Sequence, residues 1–178
     1  MTQEPVKLVV SWDEYHRLVE DLALLVHRSG WRIDSLLCLA RGGLRVGDVL
    51  SRLFRVPLSI LAASSYREAG GTRQGELDIA EFITSTQGDP GGHLLLVDDL
   101  ADSGRTLGAV AGHLRTRYPG ITEIRTAVIW TKGSSRFEPD YRVLHLPHDP
   151  WIVQPFEVYD RMDAAELARV RGAPGTAG

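Results

Sequence analysis

The chain reads LLLVDDLADSGRT over residues 94–106, and this segment carries more information than any other part of the sequence. Its four leading apolar residues predict a buried strand that ends at Asp98 and Asp99. From Asp102 onward, hydroxyl side chains and a glycine precede a run with helical periodicity, which predicts a turn and then a helix over about 106–118. The segment therefore predicts a strand, an acidic loop and a helix in succession.

The loop between this strand and this helix combines acidic and hydroxyl side chains with a glycine. Adjacent strand residues point in opposite directions, so Asp98 and Asp99 can contact two sides of one ligand. Carboxylates suit paired sugar hydroxyls or a hydrated Mg²⁺, while the free N–H groups at a helix start, with Gly104 allowing close approach, suit a phosphate. An acidic turn without a ligand is the alternative, but the coincidence of these features favours a site for a phosphorylated sugar.

Strand and helix patterns alternate through most of the chain. Strands are predicted over 35–39, 58–62, 93–97, 124–130 and 142–146, and helices over 12–29, 44–54, 106–118 and 163–170. Residues 64–87 read as a hairpin-like excursion between two of these strands. This order predicts an α/β fold with a central, mainly parallel sheet flanked by helices, in which ligands bind beyond the carboxyl ends of the strands.

Composition limits the class of protein. The 178 residues are 43% hydrophobic and 24% charged, as is typical of one soluble globular domain. The lone cysteine, Cys38, excludes an intramolecular disulfide framework and a multi-cysteine metal site. A net charge of −3 argues against nucleic-acid binding. No uncharged run approaches the roughly 18 residues of a membrane helix, and the N-terminus lacks a signal-peptide pattern, so we expect a cytoplasmic protein without stable membrane insertion.

The segment 94–106 resembles the phosphoribosyl pyrophosphate (PRPP) signature of the type I phosphoribosyltransferases, in which four apolar residues and two acids precede a D-[ST]-G-x-T loop. Further segments resemble the bacterial xanthine-guanine phosphoribosyltransferases in the same order. They are Val10-Ser-Trp-Asp13, Ala40-Arg-Gly-Gly-Leu44, Ser64-Ser-Tyr66 and Asp149-Pro-Trp-Ile-Val-Gln-Pro155. The resemblance spans roughly residues 10–156. This chain departs from the family pattern at Gly133, because in the family a proline commonly follows the lysine that binds the base.

The resemblance implies a purine salvage enzyme. Such an enzyme transfers the 5-phosphoribosyl group of PRPP to a 6-oxopurine (guanine, xanthine or hypoxanthine), gives the nucleoside 5′-monophosphate and pyrophosphate, and requires Mg²⁺. We expect a single domain over 1–171, with a small C-terminal hood formed mainly by 132–160 and a disordered tail over 172–178. A homo-oligomer, either a dimer or a tetramer, is also expected.

The resemblance also assigns roles to the acidic loop and to the turn after the first core strand. Asp102 would be the catalytic residue that accepts a proton from purine N7, while Asp98 and Asp99 would hold the ribose hydroxyls and Mg²⁺. The residues expected to bind PRPP are Arg41, Gly42, Asp98, Asp99, Asp102, Ser103, Gly104, Arg105 and Thr106. Arg41 and Gly42 would hold pyrophosphate beside a cis Ala40–Arg41 peptide, although the residues alone also fit an ordinary Gly-Gly turn with a surface arginine.

Two further groups of residues follow from the resemblance. Lys132, Trp151 and Ile152 would read the base: the ammonium donates to O6, the indole stacks on the ring, and the Ile152 carbonyl meets the exocyclic edge. A solvated strand end and a half-buried hydrophobic residue are the alternatives for Lys132 and Trp151. A flexible loop that excludes water from the site would contain Ser65, Tyr66, Arg67 and Arg73, whose two arginines are equally compatible with an ordinary surface loop.

Two rival functions stay open at the level of sequence. One is a regulatory protein that binds PRPP or a nucleotide on the same fold without useful turnover, because a fold alone does not determine function. The other is a phosphoribosyltransferase for another base, such as a pyrimidine. The sequence does not rank guanine, xanthine and hypoxanthine.

Overall fold

The computed structural model describes residues 6–65 and 77–172, and the chain divides into two compact units. The larger unit is Arg17–Asp149, and the smaller one combines Met1–His16 with Pro150–Gly178. The strands are β1 (Lys7–Val9), β2 (Ser35–Ala40), β3 (Leu58–Ser65), β4 (Leu77–Ile79), β5 (Thr84–Ser85), β6 (Gly92–Val97), β7 (Leu100–Ala101), β8 (Ile121–Lys132), β9 (Tyr141–Leu146) and β10 (Trp151–Val153). The helices are α1 (Trp12–Arg28), α2 (Gly43–Phe54), α3 (Arg105–Arg117) and α4 (Ala164–Arg171), and a 3₁₀ helix covers Glu157–Asp160.

The larger unit is built on a sheet in which β3, β2, β6, β8 and β9 follow one another in parallel. The short β4 and β5 pair antiparallel to β3, and β7 pairs parallel to β8. The central strands β2 and β6 are apolar and buried, as expected of parallel strands covered on both faces. The predicted α/β fold with a mainly parallel central sheet is confirmed.

Alternate residues of the central strands contact helices on opposite faces of the sheet. Leu37 and Leu96 belong to a buried cluster that also contains the α3 residues Val110 and Leu114. The next strand residue, Cys38, faces the other way, where a Cβ built on Gly47 of α2 would lie 2.6 Å from the cysteine Cβ. Because successive side chains of a strand point to opposite faces of the sheet, one apolar run can pack against helices on both faces.

The smaller unit contains a parallel ribbon that the sequence patterns did not predict. In this ribbon β1 pairs with β10, with Lys7 opposite Trp151 and Val9 opposite Val153. Phe156 packs edge-on against Tyr15, with ring centroids 5.7 Å apart. The hood predicted over 132–160 crosses the boundary between the two units, and its assignment stays a prediction.

The excursion predicted between β3 and β6 is confirmed in its strand arms. Ser65 ends β3 and lies opposite Leu77 of β4 in an antiparallel pair. The flexible-loop residues Tyr66, Arg67 and Arg73 lie outside the described residues, as does most of the predicted tail. Among the helices in the described ranges, none is both long and apolar enough to cross a membrane.

Candidate active site

The acidic loop leaves the carboxyl end of β6 and is held there by β8. The N–H of Asp98 donates to the carbonyl of Ala127 at 3.1 Å, and the carbonyl of Asp99 accepts the N–H of Ile129 at 3.0 Å. The N–H of Asp99 donates to the Asp98 carboxylate at 3.0 Å. Burial and the adjacent charge of Asp99 raise the pKa of Asp98 well above its usual range. The Asp98 carboxyl group therefore favours its protonated form.

The turn after β2 lies directly against this acidic loop. A side chain on Gly42 would overlap the Asp99 carboxylate, and a Cβ on Gly43 would lie 2.6 Å from the carbonyl oxygen of Val97. The Ala40–Arg41 peptide is cis, as expected. The carboxyl ends of the neighbouring strands β2 and β6 thus bring together the two loops that the sequence analysis singled out.

Gly104 forms the turn that starts α3. Its φ of +74° lies in the left-handed region, which glycine adopts without a steric penalty. A side chain at this position would have no room, because a Cβ on Gly104 would overlap the Cβ of Phe137 and lie 2.9 Å from the Ser135 hydroxyl. The N–H of Arg105 donates to the Ser103 hydroxyl at 3.4 Å. The first turn of α3, with Thr106 in it, is a helix N-terminus, the kind of position at which backbone N–H groups bind phosphates.

Lys132 and Asp102 form an ion pair, although thirty positions separate them in the sequence. The Lys132 Nζ lies 3.3 Å from the Asp102 Oδ1, with the lysine side chain 12% exposed and the aspartate side chain 47% exposed. The pairing of β7 with β8 explains this contact, because Ala101 lies opposite Thr131, and Asp102 and Lys132 are the residues that directly follow this pair. A basic and an acidic group therefore meet at the carboxyl end of the sheet.

The segment after Lys132 forms backbone hydrogen bonds with the end of β9 and with the acidic loop. The N–H of Gly133 donates to the carbonyl of Leu146 at 2.9 Å, and the N–H of Arg136 donates to the carbonyl of Ser103 at 3.2 Å. A proline at 133 would lack the N–H of the first bond, which gives a physical reason for the absence of proline there. The glycine itself fits the space, because a Cβ at 133 would lie 2.6 Å from the carbonyl oxygen of Pro147. Sequence reasoning placed residues 133–137 in the predicted hood but assigned them no contact with the acidic loop, because their contacts are made mostly through the backbone.

Trp151 and Ile152, the other predicted base-binding residues, belong to the smaller unit. Ile152 is buried in the β1–β10 ribbon, whereas Trp151 is 47% exposed. Trp151 lines a cavity of about 640 Å³ within that unit. Whether they act with Lys132 on one base stays a prediction.

The acidic loop also offers carboxylates to a divalent cation. Within the described part of the chain, no group of three or more His, Cys, Asp and Glu side chains is arranged to hold a metal ion. Asp98 and Asp99 therefore supply at most two carboxylates. This donor set fits Mg²⁺, which is commonly bound by one or two carboxylates together with waters and substrate phosphates.

The chain is similar to known phosphoribosyltransferases. A model of the phosphoribosyl transferase domain matches residues 11–161. Xanthine-guanine phosphoribosyltransferases of Ruegeria sp. (strain TM1040) and Idiomarina loihiensis are each 28% identical, cover 84% of this chain, and are themselves covered over 84% and 86% of their lengths.

Solved structures agree with this match. The xanthine-guanine-hypoxanthine phosphoribosyltransferase of Helicobacter pylori has a TM-score of 0.72 at 26% identity, over 87% of this chain and 96% of its own. A purine phosphoribosyltransferase of Pyrococcus horikoshii has a TM-score of 0.69 at 27% identity, over 84% of this chain and 93% of its own.

Proposed function

Because the chain belongs to the phosphoribosyl transferase family, we propose that it transfers the 5-phosphoribosyl group of PRPP to a 6-oxopurine in purine salvage. The products are the nucleoside 5′-monophosphate and pyrophosphate. The names of the two bacterial relatives support xanthine and guanine as the first bases to test. A homo-oligomer in the cytoplasm is part of the same proposal.

The ion pair between Lys132 and Asp102, 3.3 Å long, is the observation that carries this proposal. On a purine, the positions O6 and N7 are neighbours on one edge of the base. When the proton is on N7, this edge presents an acceptor beside a donor. A lysine donor next to a carboxylate acceptor is the matching arrangement. Adenine carries an amino group at position 6, so it would face the ammonium of Lys132 without offering an acceptor.

The chemistry assigned to these residues balances as a substitution at C1′ of the ribose. N9 of the base forms the new bond to C1′, and pyrophosphate leaves with the electrons of the broken C–O bond. Asp102 accepts the proton from N7, which leaves the lone pair of N9 available for attack. Lys132 holds O6 during this step and stabilises the negative charge on Asp102 before the base enters. Trp151 stacks on the ring, and Ile152 meets the exocyclic edge.

PRPP binds, in this proposal, along the two loops that contact each other. Residues 103–106 hold the 5′-phosphate at the start of α3, where backbone N–H groups and the helix dipole favour an anion. Arg41 and Gly42 hold pyrophosphate. Asp98 and Asp99 would hold the ribose hydroxyls and Mg²⁺, and the metal would supply charge neutralisation for the pyrophosphate. Asp99 lies beside Gly42, which supports a shared position for the sugar and the pyrophosphate.

A panel of bases tests the proposed function directly. The purified protein is mixed with PRPP, Mg²⁺ and guanine, xanthine, hypoxanthine, adenine or uracil, and the nucleotide product is followed by mass-resolved chromatography. We expect product with 6-oxopurines and none with adenine or uracil. Product with uracil alone would assign another base, and saturable PRPP binding without any product would assign a regulatory role.

Asp102→Asn separates the enzyme from a binding protein. The amide keeps the size of the side chain but accepts a proton poorly, so turnover falls by about 10²–10⁴-fold while PRPP binding stays near the wild-type value. Asp48→Asn is the matched control, since Asp48 pairs with Arg52 on the exposed side of α2 and is placed outside the site. Full turnover in the Asp102 variant would remove Asp102 as the proton acceptor.

A further inference from the structure

Asp149 stands out because its backbone and its side chain are both unusual. Its φ of +47° lies in the left-handed region, where non-glycine residues are uncommon and Asp and Asn are the usual exceptions. Pro150 follows it, and a residue before proline ordinarily adopts an extended conformation. Because Asp149 is exposed and still adopts the left-handed conformation before a proline, we expect its side chain to make a specific contact.

That contact is made with the turn that follows Lys132. The N–H of Ser134 donates to the Asp149 Oδ1 at 3.1 Å. This bond, above all, holds the pKa of Asp149 below its usual range, with further lowering from the Ser134 hydroxyl, the Gly133 N–H and the charge of Lys132. The carboxylate thus accepts the second peptide N–H after the lysine, that of Ser134.

The other contacts of this turn hold it from several directions through the backbone. The N–H of Gly133 donates to the carbonyl of Leu146 at 2.9 Å, and the N–H of Ser135 donates to the carbonyl of Lys132 at 3.0 Å. The N–H of Arg136 donates to the carbonyl of Ser103 at 3.2 Å. A Cβ on Gly133 would lie 2.6 Å from the carbonyl oxygen of Pro147, so the turn and the segment after β9 are in close contact. Asp149 adds a side-chain contact to this backbone framework, and a side chain can be changed by substitution.

The position of the turn determines the position of the Lys132 ammonium. Lys132 is the last residue of β8, and its side chain reaches Asp102 with 12% of its surface exposed. A shift of about 1 Å in a group that positions a substrate can lower catalysis by about a hundredfold. Anchoring the peptide groups immediately after Lys132 limits such a shift.

We propose that Asp149 is a positioning residue for base recognition, which anchors the turn after Lys132 and so keeps the lysine ammonium where it meets O6 of the base. This inference rests on the proposed function. It concerns the base first, since the hydrogen bond of Asp149 is made at Ser134, which is closer along the turn to the base-reading lysine than Arg136, the residue that bonds Ser103.

Two substitutions separate the contact of the side chain from the conformation of the backbone. Asp149→Gly removes the acceptor but adopts the left-handed backbone freely, so the chain is relieved of strain and retains its fold. Asp149→Asn keeps an acceptor oxygen and a residue type that tolerates this backbone. Asp89→Gly is the matched control, because Asp89 is also an exposed aspartate followed by a proline, in the turn before β6.

Steady-state kinetics with guanine and PRPP give the test, with the thermal unfolding of each variant recorded to verify folding. We expect Asp149→Gly to raise the KM for guanine about tenfold, in line with a sub-ångström shift of a positioned group. The KM for PRPP stays within about twofold, Asp149→Asn stays close to wild type in both, and Asp89→Gly changes neither.

An unchanged KM for guanine in Asp149→Gly overturns the inference, and so does an equal rise of both KM values, which would indicate general damage to the site. Failure of the proposed function is visible separately, because the wild-type protein would then convert no base in the same assay. In that case the inference about Asp149 fails together with the function.

Discussion

Replacing Gly104 with alanine tests the assignment of the 5′-phosphate loop. Two costs follow from the structure. The φ of +74° places the new side chain in the left-handed region, which costs an L-residue about 1–2 kcal/mol. The added methyl group would also overlap the Cβ of Phe137, and overpacking of this kind costs about 1–3 kcal/mol. Their sum lowers the free energy of unfolding by about 2–5 kcal/mol.

The same helix provides a matched control. Gly104 precedes the first residue of α3, whereas Gly112 lies inside the helix, and a Cβ built there has nothing within 4 Å. Because glycine in a helix interior is less favourable than alanine by about 0.5–1 kcal/mol, Gly112→Ala stabilises the chain by that amount. Two identical substitutions eight positions apart thus have opposite signs.

Thermal unfolding and PRPP binding measure the two effects. For a chain of this size about 1 kcal/mol corresponds to about 2–4 °C in Tm, so Gly104→Ala lowers Tm by about 4–20 °C and Gly112→Ala raises it by about 1–4 °C. At a temperature where both variants are folded, we expect the Kd for PRPP to rise at least about tenfold in Gly104→Ala, because the N–H groups of the first turn are displaced. Wild-type Tm and wild-type PRPP binding in Gly104→Ala would refute both the packing and the phosphate assignment.

Three further predictions address separate features. Lys132→Met is expected to raise the KM for guanine by about 10–100-fold and to weaken the preference for guanine over adenine, because the hydrogen-bond donor to O6 is lost. Kinetics with both bases measure this, and unchanged selectivity would contradict the role of Lys132 in reading O6. Burial raises the pKa of Cys38 to about 11, so the folded chain keeps the thiol protonated where the unfolded chain loses the proton. Stability contributed by the thiol is complete below pH 9.0 and is lost as the pH rises through 11. Urea unfolding of wild type against Cys38→Ala across this window should show about 2 kcal/mol of extra loss in wild type. Asp140→Ala should lower the free energy of unfolding by about 1–3 kcal/mol in the same assay, because the Asp140 carboxylate accepts both the N–H and the hydroxyl of buried Thr126 at 2.8 Å; equal stability would contradict this contact.

The central sheet could be predicted from the sequence because its signals are local. The apolar runs of β2 and β6 are each bounded by turn residues, and their burial on both faces matches the absence of polar alternation. The acidic loop was equally visible, since strand, acids, glycine and helix follow one another within residues 94–106. The N-terminus of α1 is set by a local contact too, because the N–H of Glu14 donates to the hydroxyl of Ser11, three residues earlier, at 3.2 Å.

The β1–β10 ribbon could not be predicted for the opposite reason. Each strand has three residues, and the two lie far apart in the sequence, at Lys7–Val9 and Trp151–Val153. A run this short has no periodicity that distinguishes it from a loop. Its stability comes from a partner strand that no local pattern identifies.

The contact between Lys132 and Asp102 lies between these two cases. Each residue was singled out by resemblance, but their adjacency depends on the register of β7, a strand of only two residues, against β8. A register shift of one residue would turn the side chains of one strand to the other face. The residue types were therefore readable from the sequence, whereas the geometry that lets them act on one edge of a base was not.

The glycines of the site show that its loops are shaped by one another as well as by a ligand. A side chain on Gly42 would overlap the Asp99 carboxylate, and one on Gly104 would overlap Phe137. The close approach that the sequence suggested for a phosphate is thus already used between protein groups. Loops that are packed against each other before substrate binds lose less conformational entropy on binding, and their N–H groups are aimed in advance. Substitutions at these glycines should therefore act on PRPP affinity through the protein's own packing, even where the new methyl group does not reach the ligand.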